Sequence, residues 1–159
     1  MTDAPRRRGP HLSRLSLRVE VLDGRSDRPV VQILVDGKDL FATVRPAWRG
    51  FDPAEMLRET SPLVPVEHGQ RVALYLCSCG IAGCGVIAPA VVASPDGRRV
   101  SWVDFRDYVG VFDGPLADRA ARHEGRSWDL LDLHFDRDQY LTEVGRASAA
   151  WRADLRDGA

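Results

Sequence analysis

Residues 71–93, "RVALYLCSCGIAGCGVIAPAVVA", decide how the rest of the chain reads. Two apolar runs flank the nine residues Cys77–Gly85, which hold three cysteines and three glycines. Short apolar runs bounded by glycine predict two strands joined by a tight reversal. With Gly80-Ile81-Ala82-Gly83 as a four-residue loop, Cys79 and Cys84 oppose each other across the ladder, and Cys77 lies two residues back on the same face. All three sulfurs then project to one side of an antiparallel hairpin, a placement that a one-residue slip in register would partly invert.

Strand signals continue on either side. In "LSLRVEVL", Leu15, Leu17, Val19 and Val21 alternate with polar residues, the period of a half-buried strand. "DGRSD" supplies turn residues, and "RPVVQILV" follows as a second strand. "DGKD" at 36–39 is a hairpin-type turn leading to a brief third strand, "LFATV". In "FDPAEMLRE", Asp52 is an N-cap, Pro53 suits the first helical position and Glu55 can close a capping box, predicting a short helix near residues 53–59. Downstream, "SPDG" turns the chain into the strand "RRVSWVDF". "PLADRAARHE" reads as a short helix and "SWDLLDLHF" as a last strand. The end, "DRDQYLTEVGRASAAWRADL", reads as an amphipathic helix capped by Asp136, with Leu141, Val144, Trp151 and Leu155 near one stripe. The whole predicts an α+β fold: a mostly antiparallel β-sheet covered on one face by the C-terminal helix. Residues 1–13 are expected to be a disordered arm and residues 14–156 a single domain.

Composition narrows the function classes. At 159 residues and 44% hydrophobic, the chain can bury a core unaided. A net charge of −1 gives no general attraction to nucleic acid or to a membrane. Lys38 is the only lysine among 22 basic residues. This fits either arginine recognition of phosphate and carboxylate groups or an arginine-favouring coding bias. No secretory leader and no run of roughly 20 apolar residues is visible, so a cytoplasmic location with reduced thiols is expected.

The cysteine segment carries the candidate chemistry, with three readings open. Cys77, Cys79 and Cys84 can occupy three corners of a tetrahedral zinc site. His68, His123 and His134 are then candidates for the fourth ligand, and His68 is nearest in sequence. Alternatively, the cysteines are small residues packed in a structural turn. In the third reading they act as redox or nucleophilic thiols, which need a nearby base; Asp132 and His134 share a strand face and could form an orienting pair. The acids Asp104, Asp107, Asp113, Asp118, Asp129 and Asp132 fall into no calcium-loop pattern, and no phosphate-binding or hydrolase motif is present. Of the four tryptophans, Trp102, Trp128 and Trp151 fit core packing, while Trp48 sits in a loop between two arginines.

The motifs "CSCGIAGCG", "VSWVDF", "FDPAEML", "SPLVP" and "LHFDRDQYLTEVGRASAAW" together resemble a family of small bacterial proteins that share a Cys-x-Cys-Gly-x-x-Gly-Cys-Gly loop. The resemblance spans residues 50 to 155 approximately and implies that the loop matters to a shared architecture. It carries over no catalytic residue and does not choose between metal and turn. The expectation is a non-enzymatic domain that binds another protein, with a structural cysteine hairpin and zinc as the cofactor the pattern admits. The alternative is a thiol-dependent redox protein or enzyme using Cys77, Cys79 and Cys84.

Overall fold

Period-two alternation in the first strands sets which side of the backbone meets the core. A computed structural model describes residues 11–21, 28–41, 47–128 and 130–157. Strands β1 (Leu12–Ser13) and β2 (Leu15–Val21) run on from one another with only Arg14 between them. β2 pairs antiparallel with β3 (Pro29–Val35), which pairs with β4 (Lys38–Asp39). Leu15 and Leu17 of β2 are buried, as the alternation requires, whereas β3 is buried on both faces, at Val31 and Ile33 and at Val30 and Leu34.

The larger sheet contains β5 (Arg49–Gly50), β6 (Gln70–Arg71), β7 (Tyr75–Leu76), β8 (Val86–Ala93), β9 (Arg99–Tyr108), β10 (Arg126–Ser127) and β11 (Leu133–Asp136). Its order is β1-β11-β9-β8-β7-β5, with β6 paired to β8 and β10 to β9. All these pairings are antiparallel except β1 with β11, which are parallel. The two sheets meet at both ends. β1 hands the chain directly to β2, and the Val31 amide donates to Phe51 O at 2.9 Å just beyond β5. At that second seam Gly50 lies so close to β3 that a Cβ there would sit 1.8 Å from Val31 O. Strand order therefore returns on itself, making a barrel-like ring around one core, an α+β architecture as expected.

Trp102, Phe135 and Tyr140 interlock inside this core, with Trp102 and Phe135 centroids 4.8 Å apart. Tyr140 satisfies both of its buried polar neighbours: its hydroxyl accepts from Trp102 Nε1 at 3.0 Å and donates to Leu63 O at 2.6 Å. Tyr140 belongs to α2 (Arg137–Asp157), whose first turn is held by Asp136 Oδ2 accepting from the Gln139 amide. The buried stripe is Tyr140, Val144, Ala147 and Ser148, with Trp151 half-buried beyond them; Leu155, expected on the stripe, is exposed.

Several boundaries differ from expectation, each for a local reason. Leu12 and Ser13, placed in the arm by the sequence, form β1 and pair with His134 and Phe135. The helix expected near residues 53–59 is α1, Pro53–Met56 only. Asp52 caps it by accepting from the Ala54 amide, but the Ser61 hydroxyl donates to Met56 O and turns the chain away after one turn. Glu55 directs its carboxylate toward Gly114, as the expected capping box would not. "PLADRAARHE" contributes a 3-10 segment, Asp118–Arg122, and "SWDLLDLHF" splits between β10 and β11. The turn "DGRSD", most of the brief third strand "LFATV", Asp129 and residues 1–10 of the arm lie outside the described residues.

Candidate functional site

The cysteine segment does not form the expected hairpin. Tyr75 pairs with Ile87 and Leu76 with Val86, a register one residue away from that which sets Cys79 opposite Cys84. The ladder ends at the bond from the Cys77 amide to Gly85 O, 3.0 Å, leaving residues 78–84 as a loop. Within it the Gly80 amide donates to Cys77 O, which Gly80 permits with a φ of +82°, and Ala82–Cys84 makes a 3-10 turn. A 3-10 turn has no two-sided alternation, so Cys84 does not share a strand face with Cys77 and Cys79. Cys77 is half-buried, Cys79 and Cys84 are exposed, and all three are free thiols.

His68 does not join them. It precedes β6, which pairs with Ala90 and Val91, whereas the cysteine loop enters β8 at Val86. At the rise of an extended strand this separation is roughly 15 Å. His68 is instead exposed beside Glu67, and its φ of +67° marks a turn. Among the described residues no three His, Cys, Asp or Glu side chains lie close enough together to hold a metal ion, so the expected shell of Cys77, Cys79, Cys84 and His68 is not assembled. The orienting pair suggested for thiol chemistry is also divided. Asp132 Oδ1 accepts from the Asp104 amide, while His134 Nδ1 bonds the Ser101 hydroxyl across the β9–β11 pair at 2.7 Å.

What the loop does is finish one end of the barrel. Gly85 lies against Trp48, where a Cβ would come within 3.0 Å of the indole ring. Arg49 Nη2 donates to Ser78 O, and the Gly110 amide donates to Gly83 O at 2.8 Å, fastening the loop to the turn after β9. These ties leave two apolar side chains outside: Ile81 is 60% exposed and Val109 73% exposed. Beside them a cavity of about 420 Å³ opens between the loop, β5 and α1, and Pro29, at the near end of β3, also lines it. Asp52, Glu55 and Asp113 ring this cavity, and burial followed by repulsion from Asp52 and Asp113 raises the Glu55 carboxyl above its ordinary value.

A second feature, beside the middle of β8, is invisible to alternation counting. Ala88 pairs with Arg106 and Ala90 with Val103, so β9 carries one extra residue there and forms a β-bulge. Asp104, in the bulge, takes a φ of +53°, unusual for a residue with a side chain. Two guanidinium groups hold it: Arg71 Nη2 at 2.9 Å and Arg106 Nε at 2.8 Å both donate to Asp104 Oδ2. Arg71 also donates to the carbonyls of Ala88 and Asp104, and Arg106 to Glu124 O. The bonds from Arg106 and then Arg71 keep the Asp104 carboxyl below its ordinary value, hence ionised at neutral pH. This network floors a cleft of about 510 Å³ that His68 and His123 flank. Arg71 is engaged on the carbonyls of Ala88 and Asp104 at the bulge, so the cluster braces the bend in β9. The sequence signal was the spacing of buried residues in "VSWVDF": Trp102 is followed in the core by Phe105, a step of three where a regular strand has two.

The chain matches no family model, no curated protein and no solved structure. Among the described residues, no helix is long and apolar enough to cross a membrane.

Proposed function

We propose that this chain is a non-enzymatic protein-interaction domain that docks its partner on the end of the barrel finished by the cysteine loop. The observation that carries this reading is the pair Ile81 and Val109, two exposed apolar side chains on separate loops tied to each other by the Gly110–Gly83 hydrogen bond. Apolar side chains held outward on a pre-ordered surface lose little freedom on binding, which is what gives a docking contact its strength. In this reading Cys77, Cys79 and Cys84 are small residues that let the loop pack under its ties to Trp48 and Arg49.

The test uses the exposed thiol. Full-length protein carrying a benzophenone label on Cys79, with Cys84→Ser, is irradiated in extract of its source cells. A discrete adduct is expected, and Ile81→Asp with Val109→Asp should abolish it while leaving the melting temperature within a few degrees of the parent. An adduct that survives the double change, or none at all, sinks the reading.

The second reading, a thiol-dependent redox protein, draws on the exposure of Cys79 and Cys84. Thiol titration with metal analysis separates these two readings from a zinc site. Fast reaction and a reversible Cys79–Cys84 disulfide would favour redox chemistry. About one zinc per chain, with a melting temperature lowered by chelator, would favour the metal. Slow reaction and no stoichiometric metal are expected.

A further inference from the structure

The outer edge of β2 is closed in an unusual way. Its neighbour on that side is α2, and α2 supplies side chains where another strand would supply backbone. The Leu15 amide donates to Gln139 Oε1 at 3.0 Å, and Gln139 Nε2 returns a bond to Leu15 O at 2.8 Å. One step along, the Leu17 amide donates to Glu143 Oε2 at 2.8 Å, and Arg146 Nη2 donates to Leu17 O at 2.9 Å. Gln139, Glu143 and Arg146 succeed one another at helical spacing and meet residues at strand spacing, so the helix reproduces two rungs of a β-ladder.

Among the described residues, the next two rungs are not reproduced. Backbone groups of alternate residues in a strand point the same way, so the N–H and C=O of Val19 and Val21 face outward as those of Leu15 and Leu17 do. The register agrees. Val19 is opposite Val31, whose amide is turned away from β2 to Phe51 O, and Val21 is opposite Pro29, which has no N–H to offer. Past Arg146 the helix presents Ala147, Ala150, Trp151 and Asp154. Alanine and tryptophan cannot accept from Val19 N–H, the Asp154 carboxylate makes no bond to it, and a groove of about 480 Å³ opens between edge and helix, lined by Leu17, Val19 and those residues. Val19 and Val21 are 40% and 49% exposed although their alternation places them in phase with buried Leu15 and Leu17.

We infer that Val19–Val21 is a strand-addition site for an extended segment of a partner protein with apolar side chains at alternate positions. The segment continues the ladder that α2 closes over Leu15 and Leu17, bonding the outward groups of Val19 and Val21 and setting an apolar side chain beside Ala147, Ala150 and Trp151. Arg18 and Asp154 on the two walls of the groove match a segment carrying an acid and a base of its own. This rests on the protein-binding reading above and shares its end of the barrel, since Val21 pairs with Pro29. It uses a different surface, so each can fail alone.

The probe is a synthetic peptide, Thr-Val-Glu-Val-Lys-Val-Thr with blocked ends, added to the isotope-labelled full chain while amide exchange is followed by NMR. Peptide should slow exchange at Val19 and Val21 by about tenfold or more, and leave Arg18 and Glu20, already in the β2–β3 ladder, unchanged. The same peptide N-methylated at alternate bonds should have no effect. Ala150→Arg, which fills the groove, should remove the protection, and so should Val19→Pro, which deletes an amide the fold does not use. Ile81→Asp with Val109→Asp should leave it intact; that pair therefore separates this site from the docking reading. Exchange at Val19 and Val21 that is slow without peptide, slows only as protein concentration rises (a second copy as occupant), or ignores the peptide would overturn the proposal.

Discussion

Gly50 is the residue on which closure of the ring depends. Its backbone is in extended territory that any residue can adopt, so conformational freedom is not the reason for glycine here. The reason is approach: a Cβ at residue 50 would lie 1.8 Å from Val31 O, and the obstructing atom is backbone that cannot rotate aside. Gly50→Ala must either push β5 off β3, breaking the Val31–Phe51 hydrogen bond, or deform both strands. A loss of about 3 kcal/mol or more is expected, at the extreme end for a single methyl group. Gly83, inside the cysteine loop, is the matched control, because the nearest atom to a Cβ there is the flexible Ile81 side chain at 4.0 Å. Gly83→Ala should change stability by no more than about 0.5 kcal/mol. Urea midpoints of the two variants check the pair. Equal losses would mean that the ring is not closed by the β3–β5 approach.

Elements whose evidence is local were legible in the sequence. β2 follows from alternation, β3 from an apolar run set between turn residues, and the start of α2 from Asp136 and Gln139. The cysteine loop was not, because its register depends on a one-residue choice that composition leaves open, and Gly80 and Gly85 suit either choice. Sequence distance places His68 beside that loop, yet strand pairing carries it toward the far end of β8. The use of α2 as a substitute strand was not legible either, since Gln139, Glu143 and Arg146 read as an ordinary solvated face until β2 is set beside them. That role has a pH signature. Burial raises the Glu143 carboxyl, but the bonds from Arg146 and the Leu17 amide outweigh it and leave the group below its ordinary value. A lowered folded-state value means stability that is complete above the unfolded value of about 4.3 and lost as pH falls through the folded one. Glu143→Gln should therefore cost about 1 kcal/mol at pH 7, and the gap from the parent should close below about pH 4. Thermal melts of both proteins across pH 3 to 7 give the comparison. A gap that persists undiminished in acid would assign the loss to packing rather than charge.

At the scale of the whole molecule, the ring makes distant parts of the chain mutually dependent. β1 cannot pair until β11 has formed, some 120 residues later, and α2 rests on β2, β9 and β11 together. Among the described residues, those from Leu15 to Ala147 contribute to one buried cluster. Such a structure should unfold in one step, because loss of any seam opens the core to water. The four tryptophans are placed to test this. Trp48 lies under the cysteine loop at Gly85, and Trp102 is in the centre of the core. Trp128 donates to Asp107 Oδ2 from the segment after β10, and Trp151 is on α2 beside the open edge of β2. In four proteins that each keep one tryptophan and replace the others with phenylalanine, fluorescence and far-ultraviolet circular dichroism should give coincident urea midpoints within each protein, whatever the absolute stability. The Trp151 protein is the sensitive case. Its fluorescence is reported from the last turns of α2, past the side chains that bind Leu15 and Leu17, and an early change there would make the helix a separable lid over β2. Coincidence would instead make the helix part of the barrel's closure, because the edge it covers is exposed only when the ring itself comes apart.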